Sequence, residues 1–109
     1  MKHVKNWVDV VGFAKAIADG TRQSIMKCCC CQRLTVGDIT EYIGVSQPTV
    51  SHHLAILREA GLVTAERKGR QTYYSLNQER ITACCGQLMV TFAPDENITQ
   101  KVERELLHS

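Results

Sequence analysis

Residues 34–63, LTVGDITEYIGVSQPTVSHHLAILREAGLV, constrain the fold more than any other part of the chain. Thr35 precedes an apolar-periodic run, Val36, Ile39 and Ile43, so its hydroxyl can cap a short helix. Gly44 is a natural stop for that helix. Ser46 then caps a second helix, and Pro48 sits in its first turn, where a missing N–H costs nothing. Val50, His53, Leu54 and Leu57 return on one face of it, and Gly61 ends it. Two short helices joined by a tight, glycine-containing turn make a helix-turn-helix.

The flanking segments complete a small domain. Val4, Trp7, Val8, Val11, Ala14, Ile17 and Ala18 recur at helical spacing and predict a first helix. Asp19 or Thr21 can cap a second, which carries Ile25, Met26 and a run of cysteines. After Gly61 the pattern changes to LVTAERKGRQTYYSL, rich in β-formers and folding back at Lys68-Gly69-Arg70, a hairpin with a basic tip. Helical period returns after Asn77, with Ile81, Cys84, Cys85, Leu88 and Phe92 as one apolar stripe that Pro94 stops. Five helices with a two-stranded hairpin after the fourth give a mainly α (α+β) winged helix-turn-helix over residues 1–94. Residues 95–109 form an acidic tail in which Ile98, Val102 and Leu106 fit either a short helix or a frayed end.

Charge permits a nucleic-acid partner without demanding one, since 13 Lys and Arg stand against 11 Asp and Glu. The excess lies upstream of the tail. From Ser46 onward, Gln47, Thr49, Ser51 and His52 point away from the inward face of the second helix. Such a helix offers its N-terminal side chains to base edges in the major groove. Gln can pair with adenine, and Thr or Ser can meet a thymine methyl or a phosphate. Lys68 and Arg70 at the hairpin tip suit phosphates or the minor groove. His53, beside the core face, is read as a hydrogen-bonded packing residue. Neither a secretory signal nor a long apolar run is present, so a cytoplasmic protein is expected.

AIADGTRQSIM (16–26), the 35–63 block and RKGRQTYYSL (67–76) together resemble the ArsR/SmtB family of bacterial metal- and redox-responsive repressors. That resemblance implies a homodimer joined through the first and fifth helices, double-stranded operator DNA held by the fourth helix and the wing, and release on sensing. It implies no enzyme. The family's known sensor positions do not carry over. A Cys-x-Cys on the third helix would fall at Thr35 and Gly37. The fifth-helix carboxylate and imidazole ligands would fall at Gln78, Arg80, Thr91 and Pro94. The paired cysteines of the sulfur-responsive members would fall at Lys27 and Ala93.

Six cysteines in two clumps, Cys28–Cys31 and Cys84–Cys85, therefore need their own account. In a reducing compartment clustered thiols point to metal or redox chemistry before structural disulfides. Cys28 and Cys29 stand where relatives carry leucine and are expected in the core, as small hydrophobes. Sulfur ligands without nearby His, Asp or Glu suit thiophilic species. Trivalent arsenic or antimony takes three thiolates in a pyramid, so Cys84 and Cys85 with a third sulfur from Cys30 or Cys31 are the expected site for arsenite or antimonite. Cadmium, lead or mercury ions, or a thiol-redox or sulfide switch, are the alternatives. The Cys-x-x-Cys spacing of 28–31 follows no strand and opens no βαβ unit, which argues against a thiol oxidoreductase.

Overall fold

The computed structural model describes residues 9–108. They form α1 (Val10–Ile17), α2 (Gly20–Cys29), α3 (Val36–Ile43), α4 (Gln47–Glu59), β1 (Val63–Lys68), β2 (Gln71–Leu76), α5 (Gln78–Phe92) and α6 (Glu96–Leu107). The winged helix-turn-helix is the observed fold, with one helix more than the five counted from sequence: the tail is helical, capped by Asp95, whose carboxylate accepts from the Asn97 N–H at 2.9 Å. Val4, Trp7 and Val8, assigned to the first helix, lie outside the described residues.

Local chemistry places the helix starts. The Asp19 carboxylate accepts from the Arg22 N–H at 2.9 Å and begins α2. Thr35 and Asp38 cap reciprocally: Asp38 N–H donates to the Thr35 hydroxyl at 3.1 Å, and Thr35 N–H donates to the Asp38 carboxylate at 3.0 Å. Ser46 Oγ accepts from the Thr49 N–H at 3.3 Å at the head of α4. Gly44, at φ 73°, makes the left-handed turn between α3 and α4 that only glycine adopts without strain.

The core joins α1, α2, α3, α4 and the base of the wing. Ile25, Ile39, Val50, Leu57 and Leu62 are fully buried, with Phe13, Leu34, Leu54, Val63 and two cysteines beside them. Burying one such aliphatic side chain stabilises by about 1.5–3 kcal/mol, so this cluster holds the helix-turn-helix rigid. β1 and β2 pair antiparallel from Val63↔Leu76 to Lys68↔Gln71, and Gly69, at φ 64°, closes the tip. Arg67 Nε donates to the Gly69 carbonyl at 3.0 Å and stiffens that turn.

The fifth helix departs from the single stripe read in the sequence. Cys84 is 1% exposed, with Ile81 and Leu88 packed against the core, whereas Cys85 is exposed and Phe92 is 78% exposed. Consecutive helical residues diverge by about 100°, so one face of α5 cannot turn both cysteines inward. Cys85, Met89 and Phe92, at i, i+4 and i+7, instead make a second, exposed stripe. α6 likewise buries nothing: Ile98, Val102 and Leu106 are all exposed.

Candidate functional site

Gln47, Ser51 and His52 are exposed on α4, opposite Val50, Leu54 and Leu57, and Lys68 and Arg70 are exposed at the wing tip. Ser46 and Thr49 are partly committed to structure, their hydroxyls 2.8 Å apart at the helix cap. His53 is half-buried. Its Nδ1 lies 3.1 Å from Arg22 Nη1, and a guanidinium only donates, so Nδ1 is the acceptor. Arg22 also donates through Nε to the Ala16 carbonyl at 2.6 Å, and so clamps the end of α1, the start of α2 and the recognition helix together. Backbone donation from Arg22 holds the Asp19 carboxyl below its ordinary range.

The cysteines separate by environment. α2 ends at Cys29, with Cys30 as its C-cap and Cys31 in the exposed turn beyond. The Sγ atoms of Cys30 and Cys31 are 3.2 Å apart. Their hydrogen bond is the main reason that the Cys30 thiol is held above the ordinary thiol range, with desolvation second. Cys29, 1% exposed, is pushed up to about 11 by burial, with the neighbouring Cys28 and Cys30 adding to it. Burial also raises Cys84. Cys28 is half-buried against the core. Among the described residues no three His, Cys, Asp or Glu side chains come together as a metal-binding group. Within one protomer, then, Cys84, Cys85, Cys30 and Cys31 do not converge on one point. Cys30 and Cys31 do pair.

Five contacts tie the Cys30–Cys31 turn and the segment after it to α5 and the wing. Gln78 Nε2, at the head of α5, donates to the Cys30 carbonyl at 2.7 Å. Leu34 and Tyr74 exchange both backbone hydrogen bonds, at 3.0 and 2.7 Å, so the segment after the turn adds a one-residue bridge to β2. Arg33 bonds Glu66 of β1 at 2.8 Å and sits 5.6 Å from the Tyr73 ring centroid. Arg22 and Arg33 were not singled out from the sequence, and Gln78 was weighed there only as a ligand position that does not carry over. Each acts on a partner 31 or more residues away, and nothing in a lone Arg or Gln marks that.

Residues 19–65 match the family described as bacterial regulatory protein, arsR family. The transcriptional repressor SdpR of Bacillus subtilis is 46% identical over 63 residues, spanning 58% of this chain and 70% of that protein. The arsenical resistance operon repressor of the same organism is 42% identical over 78 residues, spanning 65% and 74%. The chain belongs to the ArsR family. An ArsR-like transcriptional regulator from Rhodococcus sp. RHA1 superposes with a TM-score of 0.71 at 21% identity, over 96% of this chain and 92% of that one, which speaks to the fold alone. As an ArsR-family member the protein is a DNA-binding transcriptional regulator and not an enzyme. No helix among its described residues is long and apolar enough to cross a membrane.

Proposed function

We propose that this protein is a homodimeric operator-bound repressor that leaves its DNA when a trivalent arsenic or antimony hydroxide is captured by Cys30 and Cys31. The observation that carries this reading is the pair of sulfurs 3.2 Å apart at a solvent-facing turn. Cys29 and Cys84 are sealed in the core, and a thiol that an inducer cannot reach is a poor receptor. The name of the B. subtilis arsenical resistance repressor supports the choice of inducer. Two adjacent sulfurs already within reach of a common atom favour a ligand that bonds to thiols directly. The exposed Cys85/Met89/Phe92 stripe of α5 and Val11 of α1 supply the apolar surface for the dimer.

Release follows from the contacts around the turn. Closing an atom between the two sulfurs fixes both side chains and reshapes the last turn of α2. That strain reaches the wing through Leu34–Tyr74 and Arg33–Glu66, and α5 through Gln78. Couplings between sites are typically about 1–3 kcal/mol, enough to change DNA affinity several-fold to a hundredfold.

The test is a substitution series on reduced protein, read by operator release in fluorescence anisotropy. Cys30→Ser and Cys31→Ser should lose arsenite-triggered release, and Cys85→Ser should keep it. Cys84 is best replaced by Ala, because a buried Ser hydroxyl without a partner costs about 1–3 kcal/mol and would confuse folding with sensing. A response lost with Cys85→Ser and kept with both second-helix variants would put the receptor on α5 and end this reading.

A further inference from the structure

Each nitrogen of the Arg22 guanidinium has a partner, and the partners lie on two different helices. Nε donates to the Ala16 carbonyl at 2.6 Å and Nη2 to the Lys15 carbonyl at 3.3 Å, both in the last turn of α1. A helix leaves its last carbonyls short of donors, and this side chain supplies them. Nη1 reaches the other way, to His53 Nδ1 on α4 at 3.1 Å. α1 packs on α2 and α5, whereas α4 packs on α2, α3 and β1. The guanidinium is thus a polar link from the end of α1 to the helix that carries Gln47, Ser51 and His52. Val50, Leu54 and Leu57 hold α4 in the core, but apolar burial is non-directional and specifies rotation and sliding of a helix weakly. A hydrogen bond is directional, and a planar fork anchored at two points on α1 aims this one.

α1 also bears on the partner protomer. Val11 is 64% exposed, and α1 lies against α5, whose Cys85, Met89 and Phe92 stripe belongs to the surface assigned above to the dimer. We infer that Arg22, acting through His53, is a positioning residue for operator half-site spacing. It sets where each recognition helix stands relative to the dimer axis, and so which separation of half-sites the pair can read. The inference rests on the homodimer proposed above. Paired recognition helices meet half-sites about one DNA turn apart, and binding side chains must be held within about 0.5 Å of the productive geometry. One base pair added between half-sites moves them apart by about 3.4 Å, which a fixed helix misses and a loosened one can follow.

The experiment uses the full chain, reduced with a phosphine, and a palindromic duplex that the parent selects from a random pool. Two further duplexes carry one base pair more and one fewer between the half-sites. Affinity is read by anisotropy, association by sedimentation and folding by thermal melting. The parent should lose on the order of tenfold or more in affinity on either altered duplex, the scale of one mismatched contact. His53→Phe keeps a ring but no acceptor, and should bring the three duplexes to nearly equal affinity. His53→Gln, whose side-chain carbonyl can accept from Arg22, should restore the preference, a rescue that lost packing would not show. Arg22→Lys keeps the charge without the fork, should behave as His53→Phe does, and serves if that variant melts early. Spacing discrimination as in the parent from both His53→Phe and Arg22→Lys overturns the inference, as does His53→Gln discriminating no better than His53→Phe. A dimeric parent indifferent to spacing overturns it too, while the dimer stands. A parent that sediments as a monomer with and without DNA overturns the dimer, and this inference with it.

Discussion

The pH dependence of inducer binding separates a metalloid sensor from a sensor of soft divalent cations. Cys30 titrates above the ordinary thiol range, chiefly because Cys31 shares a hydrogen bond with it at 3.2 Å. Below that range the Cys30 thiol rests protonated. A divalent cation binds thiolates, so cadmium or lead must expel two protons from the pair. Its affinity then rises on the order of 100-fold per pH unit below the thiol pKa. A neutral arsenic hydroxide carries off both thiol protons as water, and its net proton release is zero. The assay is a set of operator-release titrations at pH 6.0, 6.75 and 7.5 (chosen as working points well below ordinary thiol titration), with arsenite and with cadmium in parallel. The midpoint for arsenite should stay flat, and that for cadmium should fall steeply if cadmium acts at all. An arsenite midpoint that moves tenfold or more across this range would refute the reasoning, because capture would then not be a proton-neutral exchange of hydroxide for thiol.

Cys29 gives a stability prediction at alkaline pH. Its folded-state pKa lies above its unfolded one, so its contribution is complete below the unfolded value and lost as pH rises toward about 11. The loss should reach about 2–3 kcal/mol for a shift of this size, and Cys29→Val should remove that part of the pH dependence in urea titrations; identical curves would show that Cys29 ionises as freely folded as unfolded. Gly61→Ala should destabilise more than Gly44→Ala. Both glycines have left-handed φ, costing about 1–2 kcal/mol, but a Cβ at Gly61 would also meet the Arg80 guanidinium at 2.7 Å, whereas at Gly44 it meets nothing. Equal melting temperatures for the two variants would show that Arg80 moves aside without cost. Arg70→Ala should weaken binding to every duplex alike and lower the salt slope by about 1, whereas Gln47→Ala should relax base preference with the salt slope unchanged. The reverse pattern in salt titrations would reassign both residues.

The parts of this molecule that local chemistry decides were legible in the sequence. Caps at Asp19, Thr35 and Ser46, the turn at Gly44 and the wing tip at Gly69 each depend on residues within four positions of one another. The same holds for the inward face of α4, where Val50, Leu54 and Leu57 share one helical stripe. Resemblance carried the family assignment further than periodicity alone, because the 35–63 block and the hairpin match as a unit. The site was less legible for a physical reason. Cys84 and Cys85 look equivalent as letters, but a helix face admits one of them to the core, and which one depends on how α5 lies against α1.

The same logic explains why α2 ends where it does. Cys29 is the last residue of α2 and faces the core, while Cys30 has backbone angles of a helix but its C=O is taken by Gln78 from α5. A helix leaves its last carbonyls without internal partners, and here a side chain 48 residues away supplies one. The hydrogen bond fixes the point at which the chain leaves α2 and so fixes Cys31 beside Cys30. Three residues later Leu34 is already buried and paired to the wing. The thiol pair therefore stands between two anchors, one on α5 and one on β2, and has little room to change shape alone. A bond drawn across its two sulfurs must be accommodated at one anchor or the other. On the proposed reading, that is the route by which an atom bound at the end of α2 would alter how the wing and α4 meet DNA.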